Sequence, residues 1–504
     1  MSVLILVILA VSGGLATTLS ASRRKAAFAV GLATSVAVLV AAFSISGGDT
    51  VPLADSIIGG SDGLRTMAVA WAASSLLFGC IDALLGNGPA VLGPSLIGLG
   101  VGVMGLSVAD AGIGFALLSA GGLTTAVLPV GVARSGSESA AALGARFLRP
   151  VLAAALLSLV AVAWGASPVG PFASADPLGV VDPALRTAMG LGLLGMVGAV
   201  ALRAGAIPAH AWVARFAGAM PASAIAPTLG WGAAAFGIVA LGWVDLTLTA
   251  TGADLGPERS IVALVGLASI VLAGVAAILH DDLEHVLAYA IVQGAGVGLL
   301  AFASPQPEAM AAGRDWLLAA AAVTAAFAAW VLVTRGTYAG RHRLVDLHGW
   351  ARRSPLLGAA FLMVILALVG LPGMAGFDAR SRLIELALPG PLGFVATIAA
   401  FSPIVYLGRI FVAGTGAMAE PVRAAASARP RRPAGAVGGW ATGTSPLQVG
   451  LATVRANRHP IAAIAVVLAA LVALAAAAGG AGGPAAPASG DSPTGPSPSA
   501  LVTE

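Results

Sequence analysis

The stretch Ala201-Leu-Arg203-Ala-Gly205-Ala-Ile-Pro208-Ala-His210-Ala-Trp212, followed by Arg215, Pro221 and Pro227, decides how this chain is read. It closes an apolar run, 186–205, that is long enough to cross a bilayer. An arginine and a histidine then stand among glycine and three prolines, and a helix cannot pass that many breakers undisturbed. Ionisable residues within spans are costly and mark functional positions by default. An interrupted span exposes helix ends and unpaired carbonyls that can hold an ion, which makes Arg203 and His210 candidates for an ion path. The plainer alternative is that Arg203 snorkels to the membrane interface while Trp212 anchors the helix there.

Composition agrees with a bilayer as solvent. Of 504 residues, 58% are hydrophobic and 10% charged, which leaves too little polar surface for a soluble globule of this size. Apolar runs that can span lie at 3–21, 26–46, 64–85, 91–109, 111–133, 147–166, 186–205, 224–243, 261–279, 286–304, 316–334, 356–377, 392–412 and 461–479, about fourteen in all. The run Val3 to Leu19 has no basic residue ahead of it and Arg23, Arg24 and Lys25 behind it, the reverse of a secretory signal, so it reads as a retained first helix. Gly and Ala are abundant in the runs, which suits close helix packing in lipid. The single cysteine, Cys80, excludes an internal disulfide and any thiolate metal cluster. No glycine-rich nucleotide loop or haem attachment pattern is present, so no cofactor is expected, and the small net charge of +4 does not point to nucleic acid.

Charge placement gives an orientation. With the N-terminus outside, the inside loops hold Arg23, Arg24 and Lys25, then Arg134, Arg146 and Arg149, then Arg335, Arg341, Arg343, Arg352 and Arg353, then Arg423, Arg429, Arg431 and Arg432. The intervening loops carry Asp176, Asp182, Asp245, Asp254 and Glu258, so the bias predicts a multi-pass cell-membrane protein with both termini outside the cytoplasm. The expected organisation is a transmembrane bundle over 1–412, a basic, flexible cytoplasmic loop over 413–460, a last span at 461–479 and a disordered tail over 480–504.

Two further places bring polar chemistry to the membrane. Gly370, Pro372, Gly373 and Gly376 break the chain at the twelfth run, with Asp378, Arg380, Arg382 and Glu385 beyond. Paired Gly/Pro interruptions in two halves of a chain point to the ion site of a repeat-built transporter. Asp378 and Arg382, at i and i+4, have the spacing to pair on one helix face. Between the ninth and tenth runs, His280-Asp281-Asp282-Leu-Glu284-His285 is the densest ionisable cluster, with Tyr289 one turn beyond. It suits proton passage at a cytoplasmic edge, since His titrates near neutral pH; it equally suits a capped, solvated helix start, and its spacing matches no metal-ligand motif.

At these three places the sequence resembles the antiporter-like subunits of respiratory complex I, a family shared with multisubunit cation/proton antiporters and membrane-bound hydrogenases. Arg203 to Trp212 with Met220-Pro-Ala-Ser223 looks like that family's Lys-x-x-x-x-Pro-x-His-x-Trp followed by Ala-Pro-Thr-Pro-Val-Ser. His280 to Tyr289 is similar to its Gln-x-Asp-Leu-Lys-Arg-x-Leu-Ala-Tyr-Ser. Asp346-Leu-His-Gly-Trp and Leu368-Val-Gly-Leu-Pro372-Gly-Met-Ala-Gly-Phe377 look like its Asp-Leu-x-Gly-Leu and Gly-x-Pro-Pro-x-x-Gly-Phe. The resemblance implies an all-α polytopic fold of two inverted five-helix repeats with discontinuous seventh and twelfth helices. It also implies other membrane subunits as partners and proton movement along buried lysines and a glutamate.

Here the sequence departs from the family. By alignment the glutamate falls at about Ser119 and the lysines at Arg203, near Ala233 and at Arg380; Lys25 is the only lysine in the chain. A buried lysine can release a proton in the working range, whereas a guanidinium stays charged. Three functions follow. The first is a proton- or cation-moving subunit of a complex I-like or antiporter-like assembly, with Arg203, His210, Asp378, Arg380, Arg382 and Tyr289 as ion-path candidates. The second is a non-conducting scaffold paralogue, and the third an anion or solute transporter on the same architecture. Any redox chemistry would belong to partner subunits.

Overall fold

In hydrocarbon no water satisfies backbone N–H and C=O groups, so apolar runs close their hydrogen bonds internally as helices. The computed structural model describes residues 1–53, 56–127, 140–166, 183–249, 254–338, 343–416 and 458–479. The first helices are α1 (Ser2–Leu19), α2 (Arg24–Phe43) and α3 (Asp62–Leu85). Between α2 and α3 the strands β1 (Thr50–Leu53) and β2 (Ser56–Gly59) pair antiparallel, a small hairpin that helical periodicity does not announce. Ser61 starts α3 by accepting from the Leu64 amide at 3.1 Å, and Gly86, at φ 82°, ends it in the left-handed conformation.

Two five-helix units follow. The first is α4 (Leu92–Ser107), α5 (Ala111–Val127), α6 (Ala140–Ala166), the broken pair α7 (Pro183–Ala204) and α8 (Ala211–Ala219), then α9 (Ala222–Ile225) running through a π-helical stretch, Ala226–Trp231, into α10 (Gly232–Val244). The second is α11 (Gly256–Leu279), α12 (Leu283–Leu299) and α13 (Pro307–Thr337). The short α14 (Trp350–Arg353) leads into the broken pair α15 (Pro355–Val369) and α16 (Ala375–Ala387), followed by α17 (Pro391–Ala400) and α18 (Ser402–Thr415). Five spans is an odd number, so the second unit enters the bilayer from the side opposite the first, and the repeats are inverted. The last helix, α19 (Arg458–Gly479), packs against α3, α13 and α15 and so belongs to the bundle.

Among the described residues, eleven helices are long and apolar enough to cross a membrane, or twelve if the bent pair Leu344–Arg353 and Pro355–Val369 is one span. The sequence count of about fourteen also includes α4 and α5, which are apolar but shorter. The chain is a multi-pass membrane protein. Most of the loop over 413–460, the tail over 480–504, Arg134, Arg341 and the Asp176 and Asp182 loop lie outside the described residues.

The core centres on α13, of whose central window 94% is buried. α13 touches α3, α10, α12, α15, α16 and α19, and its rings Phe327 and Trp330 form a cluster with Trp350 and Phe361 in tilted and edge-to-face contacts.

Both breaks have one construction. Gly205 (φ 75°) ends α7 and Gly370 (φ 73°) ends α15, each in a backbone region that side chains resist. A Cβ on Gly205 would strike Val213 of α8, and one on Gly370 would lie 2.9 Å from the Phe377 Cβ of α16. The glycine therefore lets the second half of each broken helix seat against the end of the first.

Gly370→Ala is expected to cost about 1–3 kcal/mol for a backbone at φ 73°, ψ 163° that is open essentially to glycine, plus displacement of Phe377, read as a lowered unfolding temperature in detergent. Arg335 of α13 pairs with the buried Glu284 of α12, whereas Arg382 and Glu385 pair at 3.1 Å in solvent reach. Arg335→Ala should cost about 3–5 kcal/mol, and Arg382→Ala less than about 1 kcal/mol.

Candidate functional site

The site is built around the carbonyls that the two breaks set free. At the first, the indole of Trp212 donates to the Leu202 carbonyl at 3.1 Å, and the Ile207 amide donates to Ser269 Oγ at 3.1 Å. Trp212 thus closes the break rather than anchoring at an interface. Arg203 does not snorkel: it is 1% exposed, and its Nη1 donates to the Thr228 carbonyl at 2.9 Å. That carbonyl lies in the π-helical stretch, where the Gly232 amide, its partner in a regular α-helix, donates to the Pro227 carbonyl instead. Thr228 Oγ1 donates in turn to the Thr125 carbonyl of α5 at 3.1 Å. Arg203 Nε and Nη2 have no protein partner among the described residues, and no carboxylate pairs with the group. Gly122 and Gly232 make room for the guanidinium; a Cβ on Gly232 would lie 2.6 Å from Nη2.

The second break is closed by a cation. Arg380 of α16 reaches back to α15, donating from Nη1 to the Leu368 carbonyl at 3.3 Å and from Nη2 to the Val369 carbonyl at 2.6 Å. Its guanidinium lies over the rings of Phe401 (4.6 Å) and Phe377 (5.4 Å). Beside it, Tyr406 donates to Gln293 Oε1 at 3.3 Å, and Gln293 Nε2 donates to Ser402 Oγ and the Ala399 carbonyl, each at 2.8 Å.

Between the breaks lies a small cavity of about 60 Å³, lined by Leu229, Ala233, Ala290, Ala320, Thr324 and Leu368 among others. Its wall is mostly apolar, with Thr324 and Trp316 as the lining residues whose side chains carry polar atoms. Ala233, where the resemblance implies a lysine, faces this cavity. Ser119, where it implies a glutamate, donates to the Phe115 carbonyl of its own helix at 2.6 Å.

The remaining sequence candidates sit apart from this centre. His210 caps α8 and its Nδ1 is buried without a hydrogen bond among the described residues. Asp378 is exposed and accepts from the Gly373 amide at 3.2 Å; it does not pair with Arg382, which turns to Glu385. The 280–285 cluster is an ion-paired clasp. Arg409 of α18 binds Asp281 and the Ile278 carbonyl, Asp282 meets His285 (3.6 Å) and Arg343 (3.6 Å), and Glu284 holds Arg335. The His280 ring meets those of His285 (5.1 Å) and Tyr289 (5.0 Å) edge to face. Among the described residues no group of three potential ligands could hold a metal ion.

Sequence reasoning missed Asp82 and Arg259. Asp82 is buried in α3 and accepts from Asn87 Nδ2 at 2.7 Å; Arg259 is buried in α11 and donates to the Phe302 carbonyl at 3.0 Å. A carboxylate within the run 64–85 was the available signal for the first.

Burial, then the neighbouring His285, pushes the His280 imidazole below its ordinary value, against the pull of Asp282 and Asp281. The folded protein thus favours neutral His280. That contribution to stability is fully present above about pH 6.5 and is lost as pH falls through the depressed value. His280→Gln is expected to flatten this acid limb of unfolding temperature against pH.

A family model described as "NADH:quinone oxidoreductase/Mrp antiporter, TM" matches residues 180–405. NADH-quinone oxidoreductase subunit N 3 of Streptomyces griseus is 28% identical over 235 residues, 45% of this chain and 41% of the relative. The chain spans less than half the length of the curated relatives it matches. In structure, a chain of respiratory complex I from Thermus thermophilus superposes with TM-score 0.65 at 18% identity, covering 92% of this chain and 99% of that one. A chain of the Mrp complex from a Dietzia species gives 0.63 at 19%, covering 95% and 96%. At that identity the likeness is one of fold. Over residues 180–405 the chain is similar to the antiporter-like membrane subunits of the complex I and Mrp antiporter family, and both broken helices lie within that stretch.

Proposed function

We propose that this chain is a membrane subunit of an assembly of the NADH-quinone oxidoreductase or multisubunit antiporter kind, and that it takes part in moving protons or cations across the cell membrane. The observation that carries the reading is the pair of broken helices in inverted repeats, each with a buried guanidinium at its break, with Ala204 of the first and Leu368 of the second lining one small cavity between them. Both termini lie outside the cytoplasm in this reading, because the arginine-rich loops then face inward.

Arg203 and Arg380 set the potential that a passing cation meets, since neither guanidinium gives up its proton in the working range. The side chains of a type able to exchange protons are His210 beside the first break and His280 and His285 at the edge of the second repeat. Ion transit in this chain therefore divides between fixed charge at the breaks and proton exchange at histidines. Tyr289, Asp378 and Arg382 lie along or beside that route. The curated relatives carry the name of a quinone oxidoreductase subunit, and by that analogy the partners are other membrane subunits that carry the redox steps.

Proton flux into liposomes under an imposed potential tests the reading, with the chain supplied alone and with whatever membrane subunits copurify from native membranes. The parent assembly is expected to conduct, and His210→Ala to fall toward the level of empty liposomes. Arg203→Lys, which keeps the charge and introduces a group able to release a proton, should conduct at least as well as the parent. Absence of flux from both the chain and its copurified assembly overturns the proposal.

A further inference from the structure

Away from the broken helices, a cavity of about 510 Å³ opens at one edge of the bundle. It is formed by the first turn of α3, the turn between α4 and α5, α6, the last turns of α10 and the early part of α13. Its interior is apolar, with Leu64, Val162, Val239 and Leu318 in the wall, and its volume is that of a site for a drug-sized or lipid-sized molecule. Gly242 lies in this wall, and a Cβ there would meet nothing within 4 Å.

The polar groups of this cavity carry opposite charges. Arg314 lines it and has no hydrogen bond or ion pair among the described residues. Asp110 lines it too, exposed, with Oδ1 accepting from the Ile113 amide at 2.8 Å as the cap of α5. Most of the contributing segments lie at or near helix ends, where spanning helices reach the polar headgroups, and the wall includes Trp243, a residue type enriched at that interface. Hydrated ions do not suit an apolar wall; acyl chains do.

We propose that this groove seats one zwitterionic aminophospholipid, with its phosphate on Arg314, its ammonium group toward Asp110 and an acyl chain along Val239 and Gly242. An anionic lipid would satisfy Arg314 but would bring like charge to Asp110, so the pair of signs selects the aminophospholipid. The inference concerns a separate part of the molecule and does not rest on ion transport.

The test is native mass spectrometry of the full chain, exchanged from nanodiscs holding equal amounts of phosphatidylethanolamine and phosphatidylglycerol. The parent is expected to retain one phosphatidylethanolamine, Gly242→Trp to retain none, and Asp110→Asn to lose the preference between the two lipids. A second readout needs no filled groove: phosphatidylethanolamine with brominated chains should quench tryptophan emission in the parent more than in Trp243→Phe. Retention of no lipid by the parent, equal retention of both lipids by the parent, an unchanged preference in Asp110→Asn, or equal quenching with and without Trp243 overturns the proposal.

Discussion

A helix that stops inside a bilayer leaves carbonyls that lipid cannot satisfy, and the architecture of this protein follows from how those carbonyls are met. In each broken helix a glycine in the left-handed region ends the first half, and a side chain from the second half returns to cap it. Trp212 does so for Leu202 and Arg380 for Leu368 and Val369. Because the caps come from beyond the break, the two halves are fixed relative to each other, and the helices around them can pack closely. α13 and α19 supply that packing with alanine-rich faces.

The same constraint explains the choice of cations. Each guanidinium presents several donors in a plane, so Arg380 can close two adjacent carbonyls while its face lies over Phe401. A lysine would offer a point charge and a poorer fit to that pair. Arg203 is different: it makes one bond to Thr228 and, among the described residues, keeps two nitrogens without a hydrogen bond in a glycine-lined slot. The first guanidinium is thus held less completely than the second, and of the two it is the one whose donors remain open to another acceptor.

Much of this was legible in the sequence, for physical reasons. Arginine, glycine and proline inside apolar runs are expensive or helix-breaking, so 201–221 and 370–380 stood out without any structure. What could not be read was direction. Snorkelling and burial give Arg203 the same sequence context, and only the fold puts Thr228, Gly122 and Gly232 around it. Spacing suggested Asp378 with Arg382, but the Gly373 amide at the break draws Asp378 away, and Asp281 of the ionisable cluster is held by Arg409, from a helix more than a hundred residues on. Long-range partners of this kind leave no local pattern. The hairpin at 50–59 escaped because its four-residue strands are shorter than any period the eye can follow.

The clasp at 280–285 ties these observations together. Arg335, Arg343 and Arg409 come from the end of α13, the segment before α14 and from α18, and all converge on carboxylates of one short turn. Those are the elements that flank the broken pair α15 and α16 in sequence. Exposed ion pairs contribute little singly, but Glu284 is buried, so removing Arg335 weakens the compensation of a charge held away from water. The second repeat is therefore pinned at its edge by charge and at its centre by the Arg380 cap. The first repeat has an inter-helix ion pair at its own edge, Arg186 with Glu258 at 3.2 Å, which joins it to α11 of the second. Two interrupted helices can persist in one bundle because their surroundings are fastened at both ends, and a polar break at the centre needs that fastening to keep lipid out.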